Sequence, residues 1–284
     1  MQSNNPVFRR SEEFNRNPYG GAANYQGYAP TQQVDEFGRP AAPLAPPAPA
    51  RGTGRMTIDT VVQTTAITLG VILVTAAATW VLTPDFDDPD AVGVIGAFAM
   101  VGALAAFGLS LVNSFKRNIS PALVLAFAAA EGVALGAISK VYDAAFPSDQ
   151  MGGIVVQAVL GTAAAFAGTL AAYKFFDIQV GNKFRTIVTA CMFGMVALGL
   201  LEFGLSIFGS QLGLFGFGTL GLLFAVAGLV LGVFMLVMDF DFVERGIANG
   251  LPERESWRAS FALAVSLVWI YTNLLRILAI LQSD

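Results

Sequence analysis

The sequence predicts an all-α integral membrane protein with seven transmembrane helices and a disordered N-terminal tail. Three observations carry this. Only 13% of the 284 residues are charged while 55% are hydrophobic, whereas an ordinary soluble domain carries about 25% charged residues. Seven apolar runs are each long enough to cross a bilayer, which takes about 20 residues. The runs are continuously apolar, without the alternation of a membrane barrel, so their backbones must be satisfied as helices.

Residues 1–55 form a separate compositional region. Asn15, Asn17, Tyr19, Gly20 and Gly21 precede the run Pro40-Ala41-Ala42-Pro43-Leu44-Ala45-Pro46-Pro47. No apolar period is sustained, which predicts a disordered Pro/Ala-rich cytoplasmic tail with polyproline II character. No apolar core follows a basic start, so the segment does not read as a signal peptide. It serves either as a docking arm for a partner or as a solubilising tail.

Residues 56–284 form the transmembrane domain. Spans are expected at 58–82, 91–115, 119–142, 150–173, 186–208, 213–238 and 259–281. Pro84 with Asp85, Asp87 and Asp88 ends the first. Lys116-Arg117-Asn118 separates the second from the third, and Phe146-Pro147-Ser148 breaks the third from the fourth. Gly209 to Gly213 forms the tightest junction. The patterns Gly132-x-x-x-Gly136 and Gly228-x-x-x-Gly232 let helix backbones approach closely. Gly216-x-Gly218-x-x-Gly221 has the form of a nucleotide-binding loop, but no strand precedes it, so it reads as packing.

Basic residues sit on alternate loops. Arg51 and Arg55 precede the first span, and Lys116 and Arg117 follow the second. Lys174, Lys183 and Arg185 follow the fourth, and Arg245, Arg254 and Arg258 lie between the sixth and seventh. Lys140 is the only basic residue toward the other side. The positive-inside rule then puts the N-terminus in the cytoplasm and, after seven spans, the C-terminus outside. The net charge of −4 argues against nucleic-acid binding.

Few charges lie within the spans. Glu131 stands near mid-membrane, where an ionised acid costs about 2.5–3.5 kcal/mol. It belongs to a proton or cation pathway, or it is protonated and bonded to a neighbouring helix. Glu202 and Arg276 lie at matching depths in the fifth and seventh spans, which predicts an interhelical ion pair. The uncharged stretch 213–238 gives way to Asp239, Asp241 and Glu244. Asp239 and Asp241, two apart, cannot share a helix face. These acids form either a cation-binding mouth, with oxygen ligands suited to calcium, or, for Asp241 and Arg245, an i,i+4 pair on a continuing helix. Neighbouring like charges would titrate together and make the mouth pH-sensitive.

With no histidine and one cysteine, Cys191, histidine-based zinc sites, Ser-His-Asp triads and intrachain disulfides are excluded. No group is positioned as acid, base or nucleophile, so the chain does not read as an enzyme.

Several of these stretches together resemble the Bax inhibitor-1 family. They are Glu131-Gly132 with Gly136 in the third span, Met238-Asp239-Phe240 closing the sixth, and the ending Asn273-Leu274-Leu275-Arg276-Ile277-Leu278. Asn5-Pro6-Val7-Phe8 and Asp239-Phe240-Asp241-Phe242-Val243-Glu244-Arg245-Gly246 are similar to its bacterial branch with a long tail. The resemblance implies six helices around a central one, residence in the bacterial inner membrane and a pH-sensitive calcium leak. It also implies links to stress response and to membrane proteolysis, through a protease or another membrane protein. A pair of aspartates from the sixth and seventh helices would form the gate. Asp239 matches the first, and Ser266 stands where the second is expected. The family's basic residue in the second helix has no counterpart in 91–115. Asp241 and Glu131 are the candidates to replace the missing gate partner. Calcium enters only as a transported or bound species, with Asp239 and Asp241 as its candidate ligands; no tightly bound cofactor is expected.

Overall fold

A computed structural model describes residues 54–148, 152–176, 178 and 180–283. The predicted tail lies outside these residues apart from Gly54 and Arg55. The described chain is built from seven helices: α1 (Ile58–Leu82), α2 (Ala91–Phe115), α3 (Pro121–Ala145), α4 (Ile154–Phe175), α5 (Asn182–Ile207), α6 (Thr219–Ala248) and α7 (Glu255–Ser283). All seven are long and apolar enough to cross a membrane.

The first two spans fall where the sequence places them; the later boundaries move for local reasons. Pro121 occupies the first turn of α3, where its missing N–H costs nothing. Gly152 and Gly153 take positive φ of 78° and 95°, so α4 cannot begin at 150. The sixth helix differs most. Its expected start at 213 is a loop, with Gly213 at φ 84°, and the helix begins at Thr219. It then continues ten residues beyond the expected end at 238, through all three acids, to Ala248. The stretch after Met238 is therefore helix rather than loop, because each acid finds a partner on a neighbouring helix.

The α1 N-terminus carries a capping box. Thr57 Oγ1 accepts from the Thr60 N–H, and Thr60 Oγ1 accepts from the Thr57 N–H. Just before it, the Met56 N–H donates to the Leu251 carbonyl, and the Glu253 N–H donates to the Gly54 carbonyl. The entry to α1 is thus stitched to the α6–α7 loop.

α7 is the central helix the resemblance implies. It packs against α1, α3, α4 and α6 and contributes fourteen buried residues. Two seams of small residues bring neighbours together. A Cβ on Gly136 would lie 2.4 Å from the Ala76 carbonyl oxygen, joining α3 to α1. A Cβ on Gly232 would lie 2.7 Å from Ile270 Cγ1, joining α6 to α7. Both GxxxG patterns are therefore packing seams. Between α1 and α7 runs a polar ladder: Thr60 Oγ1 meets Ser256 Oγ at 2.8 Å, Thr64 Oγ1 donates to the Ser256 carbonyl at 3.0 Å, and Thr68 Oγ1 to Ser260 Oγ at 3.3 Å. The spacing of four on α1 and of four on α7 makes this ladder readable in principle, but threonines and serines in apolar runs carry no charge to draw attention.

Two ends of the bundle follow from the loops. At the basic end, Arg258 of α7 donates to the Arg117 carbonyl in the α2–α3 loop. At the acidic end, Lys140 is buried within α3. It donates to the Trp80 and Thr83 carbonyls at 3.0 and 2.7 Å and pairs with Asp85 at 3.0 Å. A cation on the last carbonyls of α1 is the favourable placement for a helix C-terminus.

Candidate functional site

The three acids of α6 sit on one helix, and helix geometry separates them. Asp239 and Asp241 are about 200° apart around the axis. Each consequently addresses a different neighbour. Asp239 faces α7, where Ser266 Oγ donates to its Oδ2 at 2.5 Å. Asp241 faces α5 and pairs with Arg185 there, while Arg245 Nε donates to its Oδ1 at 2.9 Å from one turn along α6. Glu244 accepts from Tyr173 Oη of α4 at 2.5 Å. The acids therefore do not make one mouth: they spread over three interfaces. Among the described residues no three acidic, cysteine or histidine side chains converge as a metal site, and Asp241 has an arginine on each oxygen.

Asp241 carries the i,i+4 pair that a continuing helix allows. It also orders the basic end of α5, because Arg245 Nη2 reaches the Val180 carbonyl at 2.7 Å. Asp241 is buried, with its side chain 6% exposed, against 38% for Arg185 and 50% for Arg245. A buried acid with two cations is satisfied, where an unpaired one would be costly.

Asp239 is the acid with capacity left. Its Oδ2 takes the Ser266 hydroxyl, and among the described residues Oδ1 has no side-chain or backbone donor. It borders a cavity of about 320 Å³ lined by Arg185, Met238, Asp239, Phe242, Arg258 and Ala262. α5, α6 and α7 each supply part of the wall. Ser266, at the position where the resemblance placed a second aspartate, is thus a direct partner of Asp239, but as a hydroxyl donor that adds no charge. Arg185 and Arg258 are the lining residues that sequence reasoning did not single out. In the sequence both read as loop charges, and the extension of α5 and α7 by about a turn brings them into the helices.

Glu131 does not join this site. It lies half-buried in the middle of α3 with no hydrogen-bond or ion-pair partner among the described residues. It borders neither the Asp239 cavity nor the second cavity, an apolar space of about 570 Å³ among α1, α3, α4 and α7.

Glu202 and Arg276 meet at the acidic end, though not as the direct ion pair expected. Glu202 accepts the N–H groups of Leu212 and Gly213 at 2.8 and 2.9 Å. Arg276 donates to the Leu214 carbonyl and, at 3.2 Å, to the Gly216 carbonyl, and its guanidinium lies 5.2 Å from the Phe215 ring centre. The α5–α6 loop passes between them and takes both charges on its backbone. Only half of this loop is legible in the sequence: 209–213 reads as a junction, but 214–218, whose carbonyls Arg276 holds, reads as the start of the sixth span. Gly216 and Gly221 belong to the same knot: a Cβ on Gly221 would lie 1.9 Å from the Gly216 carbonyl oxygen, so the glycine pattern serves close packing.

A family model described as Bax inhibitor 1 like matches residues 5–283, nearly the whole chain. Comparison with curated proteins returns no match. Seven membrane-length helices packed about α7, together with a family match over this extent, lead to one conclusion: the chain is a multi-pass membrane protein that belongs to the Bax inhibitor 1 like family.

Proposed function

We propose that the protein is a pH-sensitive cation leak, with calcium as the transported ion, and that Asp239 is its gating acid. The observation that carries this is the state of Asp239. It is a membrane-helix carboxylate with one oxygen held by Ser266 and the other unpartnered, on the wall of a cavity. An intramembrane acid with unfilled bonding capacity is by default a functional group. Ionised, Asp239 attracts a cation into the cavity; protonated, it does not. Flux should therefore fall on acidification. Asp241 and Glu131 remain gate candidates of lower standing, Asp241 because two arginines hold it and Glu131 because it borders neither cavity.

The loop charges support a cytoplasmic basic end; in this reading the membrane is the bacterial inner membrane, the Asp239 cavity faces the cytoplasm and the C-terminus lies outside. No catalytic step belongs to this reading.

Calcium flux into proteoliposomes tests it. Asp239→Asn is expected to lower flux about tenfold, which corresponds to about 1.4 kcal/mol, and to abolish the pH dependence. Asp241→Asn is expected to change flux with the pH dependence retained. Equal flux in the parent and both variants rejects the acids as the gate.

One observation favours a second reading, a non-transporting partner of a membrane protease or other membrane protein. Every α6 acid has a protein partner, and the cavities described are separate. Deleting residues 1–50 separates the readings: a lost stress phenotype with intact flux points to docking.

A further inference from the structure

We propose that α5 is a pivoting arm, anchored at its acidic end by Glu202 and held shut at its basic end by Asp241, and that its swing opens the Asp239 cavity. The cavity is the one used in the leak reading, but the motion stands on separate observations.

α5 is the least buried of the seven helices and the most weakly packed. It packs substantially only against α6, and in its 26 residues only Val188 and Glu202 are buried. Phe184 adds one edge-on contact, 5.5 Å between ring centres, with Phe234 of α6. Lipid tails solvate an apolar helix as well as another helix does, so little packing resists its departure. Polar contacts at the two ends hold it instead.

The ends are unequal. At the acidic end both Glu202 oxygens are bound to loop N–H groups, and that loop is clamped to central α7 by Arg276. These partners are backbone groups fixed by glycine packing. At the basic end every polar tie among the described residues passes through one side chain. Asp241 holds Arg185 directly and orients Arg245 onto the Val180 carbonyl. Arg185 is 38% exposed, so water and salt compete for it.

Arg185 lies seventeen residues from Glu202, a lever of about 25 Å at 1.5 Å per residue. A tilt of about 10° therefore carries Arg185 about 4 Å, enough to break its pair and to withdraw one wall of the cavity. The motion leaves the Glu202 anchor in place. Withdrawing Arg185 also removes a positive charge from beside Asp239, which raises the cavity's attraction for cations.

Spin-label distances and thiol accessibility test this without reading ion flux, so the pivot and the leak can fail independently. In a Cys191→Ser background, labels at Phe115→Cys and Ile187→Cys report the basic end, and labels at Leu82→Cys and Ile207→Cys the acidic end. Arg185→Gln and Asp241→Asn are each expected to move or broaden the basic-end distance by about 4 Å, leaving the acidic-end distance unchanged. Arg185→Lys, which keeps the charge, is expected to match the parent. Ala262→Cys, on the cavity wall, should react with a water-soluble thiol reagent about five- to tenfold faster in the two neutralised variants. No change at either end, or equal change at both, overturns the proposal. If a variant does not fold, the same label pairs are read in the parent at 1 M salt, about the concentration that shrinks screening lengths to 3 Å. A basic-end distance that stays fixed there overturns it as well.

Discussion

α7 and α5 have similar lengths and both cross the bundle, yet they are held by opposite means. α7 buries fourteen residues against four neighbours, while α5 buries two against one. The first is held by shape: glycines and serines let backbones close in, and no single contact dominates. The second is held by charge: an acid on α5 and an acid on α6 secure its two ends, with lipid-facing apolar surface between. In a bilayer the apolar surface of α5 gives no preference for protein over lipid. Charged pegs are therefore what locates such a helix, and a helix located by pegs moves when one peg is withdrawn.

The largest expected effect comes from spoiling shape. Gly136→Val places a Cβ 2.4 Å from the Ala76 carbonyl oxygen, a backbone atom that cannot step aside. We expect a loss of about 3 kcal/mol or failure to fold, read by thermal unfolding in detergent. A milder result would show that α1 and α3 separate more easily than the seam suggests. Next comes Glu202→Gln. It exchanges one accepting oxygen for a donor facing a loop N–H, at a cost of about 2 kcal/mol by the same assay. If the loss is negligible, the acidic end is not an anchor and the contrast between the two ends of α5 fails. Arg185→Gln should cost less, about 0.5–1 kcal/mol, since Arg185 is 38% exposed and Asp241 keeps its second arginine, Arg245. Its signature is local opening rather than unfolding. Smallest of all is Gly194→Ala on the lipid face of α5, where a Cβ meets no atom within 4 Å. Its melting temperature should correspond to a change within about 0.5 kcal/mol. A glycine substitution is thus costly on a packed seam and nearly free on the lipid face of α5.

Much of this architecture is legible in the amino-acid sequence. Continuous apolar runs dictate spanning helices, and seven of them are found. The GxxxG patterns predict close seams, and Gly136 and Gly232 occupy such seams. The spacing of Asp239 and Asp241 forbids a shared face, and the two acids point to different helices. The site is less legible, because its partners come from far along the chain. Arg185 reads as a loop charge until α5 is seen to begin at Asn182. Glu202 and Arg276 match in depth, which suggests a pair, but the part of the loop that Arg276 holds is apolar and hides in the sixth span. Ser266 reaches Asp239 only because α6 and α7 pack in one register.

Seven crossings, a charge asymmetry between the two ends and seams of small residues all follow from the order of residues alone. They depend on local composition and helical period, and a bilayer enforces both. The partner that each charge takes is instead a matter of packing. A carboxylate in a membrane helix must find a donor, but nothing in its local sequence says on which neighbour. The arrangement about α7 turns Asp239 to Ser266, Asp241 to Arg185 and Glu244 to Tyr173. It leaves one oxygen of Asp239 free on the cavity wall, and so singles out that acid among the three.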